Sequence, residues 1–229
     1  MIRTPPRNAR ASKKARTKSG GRRRSTYTRI PGVVALGRNA IPPIISNTMV
    51  YGEKFTITTG SGLGTYLFSC NGLYDPNVTG TGHQPHYFDQ LCELYDHYRV
   101  VSSKITITVN TSPTYDVNYG VFIDDDATPQ VGNVNTALER TQPKHTKSVS
   151  LNDSGYFQPI VMYWSAKTAF GIDNIMTREN LAGSAGANPL ETQNFVFWLE
   201  NGVLSASFSC RVQIEYNVIW NERASVLGS

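Results

Sequence analysis

The chain has 229 residues, with 22 Lys or Arg against 17 Asp or Glu, for a formal net charge of +5. That length suits one sandwich-sized domain plus a tail, and no run approaches the roughly 18 apolar residues that a membrane-spanning helix needs. Three widely spaced cysteines, Cys70, Cys92 and Cys210, form no CxxC and cannot all pair. A disulfide framework is therefore not expected, and a reducing compartment is. The sequons at Asn77, Asn110 and Asn152 then read as chance matches.

The charge is not spread evenly. Residues 1–38 carry twelve cations (Arg3, Arg7, Arg10, Lys13, Lys14, Arg16, Lys18, Arg22, Arg23, Arg24, Arg29 and Arg38) and no acid, and the first carboxylate is Glu53. The remaining 10 basic and 17 acidic residues leave the body at −7. Ordering backbone costs about 1–2 kcal/mol per residue, and this stretch has almost nothing apolar to offset that, so disorder is expected over residues 1–38. No apolar core follows the charges, which excludes a secretory signal, and Pro5, Pro6, Gly20 and Gly21 argue against an amphipathic transit helix. Cations without intervening acids are the footprint of phosphate binding. The nucleic-acid-binding set is Arg3, Arg7, Arg10, Lys13, Lys14, Arg16, Lys18, Arg22, Arg23, Arg24 and Arg29, with Arg favoured for bidentate phosphate contacts. Lys13, Lys14, Arg16 and Lys18, then Arg22, Arg23 and Arg24, also have the two-cluster form of a nuclear-import signal.

Residues 39–52 are apolar but broken by Pro42 and Pro43, and read as an extended arm or linker ahead of a shell domain over 53–229. In that domain Phe55 and Ile57 predict a strand that turns through Gly60–Gly64, read as a hairpin, into Tyr66, Phe68 and Cys70. Loop residues 72–86 follow. Phe88, Leu91, Leu94, Tyr95 and Tyr98 then recur at three and four, which predicts a helix reaching Tyr98. Strands are expected over Ile105–Val109 and Tyr119–Ile123, with a weak helical turn near 133–140. Residues 145–151, 160–164 and 194–199 add three more strands. The last is the clearest, since every even position from Ala206 to Trp220 is apolar. About eight strands, little helix and long polar loops at 72–86, 126–143 and 171–192 predict an all-β, eight-stranded antiparallel jelly-roll sandwich.

Chemistry is scarce. Gly60, Gly62 and Gly64 do not make a dinucleotide fingerprint, and no phosphate loop, nucleophile elbow or zinc-protease motif occurs. Cys70, His83, His86 and Cys92 lack the close ligand pair of a zinc site and read as core thiols and loop histidines. Asp124, Asp125 and Asp126 are the one weak cation candidate, which would take Ca²⁺ at a subunit contact, although solvated turn acids are the commoner case. No cofactor and no enzyme activity are expected.

Residues 72–107 carry a resemblance. Tyr74-Asp75-Pro76, Gly82-His83-Gln84-Pro85, Phe88-Asp89-Gln90, Tyr95 with Tyr98, and Ser103-Lys104-Ile105 are similar to the capsid proteins of small circular single-stranded DNA viruses, the circovirus-like group. One position departs: Tyr87 stands where that group more often has Gly. The resemblance implies an eight-stranded jelly roll with a short helix between the second and third strands, self-assembly into an icosahedral shell of sixty copies, and a basic arm on a single-stranded genome, DNA favoured. Within it Tyr74, Asp75, Pro76, Gly82, His83, Gln84, Pro85, Phe88 and Asp89 have a structural role: Pro85 and the Asp89 region start the helix, and His83 anchors the loop. The implied location is the virion, with passage through host cytoplasm and nucleus, where an import receptor would be a partner. No membrane partner is implied. Rival readings are a monomeric nucleic-acid-binding β-protein with a basic extension, and a jelly-roll lectin or enzyme. The first would carry basic and aromatic residues on its body, which is net negative, and the second would need the site residues that are missing.

Overall fold

The computed structural model describes residues 41–60, 62–110, 116–129, 131–140, 147–149, 157–202 and 205–225. The nucleic-acid and nuclear-import residues named above all fall outside them.

Eight strands follow in order: β1 (Ile44–Thr59), β2 (Gly64–Ser69), β3 (Tyr95–Val109), β4 (Val117–Asp124), β5 (Lys147–Val149), β6 (Ile160–Ser165), β7 (Asn194–Asn201) and β8 (Ala206–Arg223). They form two antiparallel sheets of order β1-β8-β3-β6 and β2-β7-β4-β5. Four of the pairings, β1 with β8, β2 with β7, β3 with β6 and β4 with β5, are those of a single long hairpin. The other two, β3 with β8 and β4 with β7, roll that hairpin into two layers. The chain is thus a jelly roll, defined by its own pairing.

Period two carries most of this. In β8 the even residues from Phe208 to Trp220 are buried between the sheets and the odd ones face outward. β1 answers with Met49, Tyr51, Phe55 and Ile57, and β3 with Ile105, Ile107 and Val109. Cys70 and Cys210 are fully buried in this core, where burial pushes Cys210 up to about 12 and Cys70 upward as well.

Three expectations change. Residues 44–52, read as part of an arm, are the first half of β1; Pro42 and Pro43 only mark where pairing starts, because Ile44 onward finds β8. Gly60–Gly64 is no hairpin, since β1 and β2 lie in different sheets and the segment crosses between layers. The helix α1 (Phe88–Cys92) stops before Leu94, and Tyr95 and Tyr98 belong to β3. Their three-residue spacing imitates a helical face, but in a strand it sends them to opposite faces, and both are buried because β3 is covered on both sides here: Tyr98 lies in the inward row, while on the other face Arg99 is buried and the Tyr95 hydroxyl donates to Pro42 O. Further along, β3 has a bulge at Val101. The pairing steps from Val100↔Val218 to Ser102↔Asn217, and inward parity changes from Tyr98 and Val100 to Ser103 and Ile105. The strand expected over 194–199 is β7, and it is apolar at both parities because it is buried on both faces. Leu67, Phe122, Val196 and Trp198 form a second, smaller core under Ala137 of α2 (Val134–Glu139).

That second core depends on Gly120 of β4. A Cβ there would lie 2.7 Å from the Trp198 indole. Gly120→Ala should destabilise the domain by about 1–3 kcal/mol through overpacking, as read by urea unfolding. An unchanged midpoint would mean that the indole has room to move.

Candidate functional site

The resemblance-bearing segment lies at one end of the sandwich, where the loop of residues 70–87 meets residues 183–193. The buried Tyr98 hydroxyl sits between them. It accepts from the backbone N–H of Leu73 at 3.1 Å and donates toward Asn188 Oδ1 at 3.3 Å. Asn188 Oδ1 also accepts from the N–H groups of Tyr74 and Asp75 at 3.1 and 3.2 Å, and its Nδ2 donates to the Asp75 carbonyl. Gly183 exchanges both backbone hydrogen bonds with Tyr98, at 2.9 Å each, and a Cβ there would lie 2.2 Å from the Tyr98 ring. Sequence reasoning missed Asn188 and Gly183; neither stands in a motif, and only the approach of two distant loops reveals them.

The same loop covers two strand edges. Ser69 N–H donates to Pro76 O at 2.8 Å, so Pro76 and its neighbours cap the edge of β2. His83 Nε2 lies 3.1 Å from Gly52 O on the free edge of β1, its Nδ1 lies 2.8 Å from Gln84 O, and its ring packs 4.8 Å from that of Tyr51. His83 therefore anchors the loop to β1. Open edges invite pairing with other chains, and such a cover prevents it. Beneath it the fully buried Asn77 donates to Glu53 Oε2 at 2.9 Å and to the Tyr66 hydroxyl at 3.0 Å. Tyr51 donates to the same Glu53 oxygen, and burial first, then that carboxylate, pushes the phenol well upward. Gly82 is required here, because a Cβ would lie 2.7 Å from the Tyr51 hydroxyl and 2.6 Å from Asn77. Pro85 and Phe88 are buried, while Tyr74 and Asp89 reach solvent.

Helix α1 begins differently from expectation. Its N-cap is Tyr87, with φ 68° and ψ 8° and no side-chain cap. Pro85 lies two residues earlier and accepts from Phe88 N–H at 3.2 Å, and Asp89 sits in the first turn. The residue that departs from the resemblance thus holds the left-handed conformation that glycine adopts without strain.

Of the four residues weighed for zinc, Cys70 is a core thiol and His83 is the loop anchor just described. Cys92 closes α1, where burial, with a smaller contribution from Asp89, pushes it up to about 11. His86 is exposed. Asp124, Asp125 and Asp126 do come together, with ligand atoms within 4.8 Å of one another. Asp124 Oδ2, however, is held by Arg140 Nη1 at 2.8 Å, and its Oδ1 accepts from Asp126 N–H. Arg140 thus already pairs with one of the three carboxylates.

The geometry defines a jelly-roll protein whose long loops are locked together at one end. No family model matches the chain, and no curated protein matches it in sequence. Among solved structures it is similar to the Desmodium yellow mottle tymovirus structure (14% identity, 88% of this chain and 100% of that one, TM-score 0.44). It is also similar to the 60-mer BFDV capsid protein (10%, 81% and 97%, 0.45) and to the mud crab tombus-like virus structure (10%, 84% and 96%, 0.49). The jelly roll is defined by the chain's own strand order.

Two substitutions test this end of the molecule. Asn188→Ala removes the acceptor of two backbone N–H groups and should cost about 1–3 kcal/mol. It should also raise amide exchange at Tyr74 and Asp75, which unchanged exchange would contradict. Tyr87→Gly should stabilise the domain by about 0.5–1 kcal/mol, because the left-handed strain removed exceeds the entropy glycine adds to the unfolded chain. A lower melting temperature would show instead that the Tyr87 side chain contributes packing.

Proposed function

We propose that this chain is the coat protein of a small virus with a circular single-stranded DNA genome, assembling through the jelly roll into an icosahedral shell of sixty copies. The observation that carries the reading is charge segregation: twelve cations and no acid in residues 1–38, on a body of net −7. A basic arm gathers polyanion while an acidic body avoids indiscriminate contact with it. Sixty arms would bring about 720 positive charges against the phosphates (60 × 12). Binding would be tolerant of sequence, because phosphates carry no base information. The paired basic clusters Lys13–Lys18 and Arg22–Arg24 would serve nuclear import before assembly. The long loops, braced against one another at one end, support the reading by presenting an ordered surface suited to contact between copies.

Electron microscopy of the expressed protein, with nuclease-protected nucleic acid extracted from particles, tests the assembly. Nucleic-acid binding is tested separately. Removing residues 1–38 takes away no described strand, so β-rich circular dichroism should persist while binding of single-stranded DNA is lost. For the full chain, log K against log[salt] should fall by about 0.7 per phosphate contacted, and Arg22→Ala, Arg23→Ala and Arg24→Ala together should make that slope shallower by roughly two. A truncated chain that binds with the original slope would refute the arm's role.

A further inference from the structure

The outer face of the β1-β8-β3-β6 sheet holds an arrangement that the arm does not explain. Cross-strand register places Lys54 of β1 directly opposite Arg211 of β8, and Arg211 opposite Thr108 of β3. Both cations are exposed, and neither side chain has an ion-pair or hydrogen-bond partner among the described residues. Like charges directly opposite each other on one face are unfavourable. Two rows along, Lys104 pairs across to Tyr163 of β6 and to Glu215 of β8, which it meets at 3.2 Å. Tyr163 is 68% exposed, an aromatic ring standing on an open sheet. Glu215 is the only acid among the outward residues of this patch, so three cations face one carboxylate on a body whose net charge is −7.

Beside the Lys104 row, the bulge at Val101 opens a groove of about 460 Å³ between β1, β8 and β3. Its lining is uncharged and mixed: Thr48 donates to Asn217 and Asn217 to Ser102, beside the aliphatic Val101 and Ile219. Unpaired cations, a solvent-facing ring and an uncharged groove on one sheet are the components of a single-strand platform. The cations track the backbone, and the ring stacks a base.

We propose that this sheet face is a second nucleic-acid contact, with Lys54 and Arg211 sharing phosphates of a single strand and Tyr163 stacking on one of its bases. The inference rests on the reading of the chain as a packager of single-stranded nucleic acid, and it adds a contact on the folded body to the one in the arm. Charge complementarity selects the occupant. An acidic protein surface would satisfy the cations but give Tyr163 no base to stack on.

The test uses the full chain and a fluorescein-labelled thymidine 30-mer, titrated across a salt series. Lys54→Ala with Arg211→Ala should make the slope of log K against log[salt] shallower by about 1.4, two phosphates at 0.7 each. Lys167→Ala is the control: this cation sits on α3 (Ala166–Phe170), pairs with Asp173 at 2.7 Å, and should leave the slope unchanged. Tyr163→Leu should weaken binding by about 5–150-fold without altering the slope. Photo-cross-linking of an iodouracil-containing strand should label Tyr163. All these residues face solvent, and the double variant should melt no lower than the parent because a repulsion is removed. If the double variant keeps the parental slope, as the control does, the sheet-face contact is overturned, and the arm reading survives provided that the Arg22, Arg23 and Arg24 substitutions still lower it. If the arm substitutions change nothing while the double variant does, the arm reading fails and the sheet face stands.

Discussion

Strand β8 is the constraint on which the rest of the molecule depends. Over 18 residues it pairs with β1 on one side, from Ile44↔Asn221 to Thr59↔Ala206, and with β3 on the other. Its inward row from Phe208 through Tyr216 to Trp220 faces the second sheet, so one strand sets both the hydrogen-bond register and the core of its layer. A one-residue slip would turn that whole row to solvent, which is why register here is strongly specified. The Tyr216 hydroxyl donates to Ser69 O at 2.8 Å and Ser103 donates to Cys70 O at 2.6 Å, fastening the end of β2 to the opposite layer.

The loop end inherits its order from this frame. Tyr98 is held by its pairing with Trp220 and by the ring contacts among Phe88, Tyr98 and Trp220, with centroids 5.5 to 5.9 Å apart. From that fixed point its hydroxyl meets the Leu73 N–H and Asn188, so two long loops converge on one buried oxygen. The segment on either side is tied again where Asn71 donates to Glu191 O and accepts from Gln193 N–H. Loops braced in this way behave as part of the sandwich, and the surface they present is fixed by the same core that forms the fold.

The two sheets differ in what they show to solvent. The β2-β7-β4-β5 layer is covered over part of its outer face by α2, with Trp198 lying against Gly120. The β1-β8-β3-β6 layer is covered at one end, where Arg99 is buried against Arg178 and Glu179, and leaves the rest of its outer face open, furnished mainly with Ser, Thr and Gln between a few cations. An antiparallel sheet tolerates such exposure because its side chains alternate between core and water.

The alternation in β8 made that strand readable from sequence, and the same period exposed β1 from Phe55 onward, β3 from Ile105 and β4. The strand number and the two-layer class follow from those runs, because period two with one apolar face has few other solutions. The segregation of charge between residues 1–38 and the body was equally plain, being a matter of composition. What escaped was decided by neighbours far away in sequence. Residues 44–52 looked like an arm until β8 offered each of them a partner, from Ile44↔Asn221 to Gly52↔Gln213. The Tyr95–Tyr98 spacing looked helical until pairing with β8 made the segment a strand buried on both faces. Asn188 and the Lys54–Arg211 pair carry no local signature at all. Local pattern reports which face of a segment is apolar, whereas partner, register and bulge depend on contacts more than a hundred residues apart, and only the folded chain brings those together.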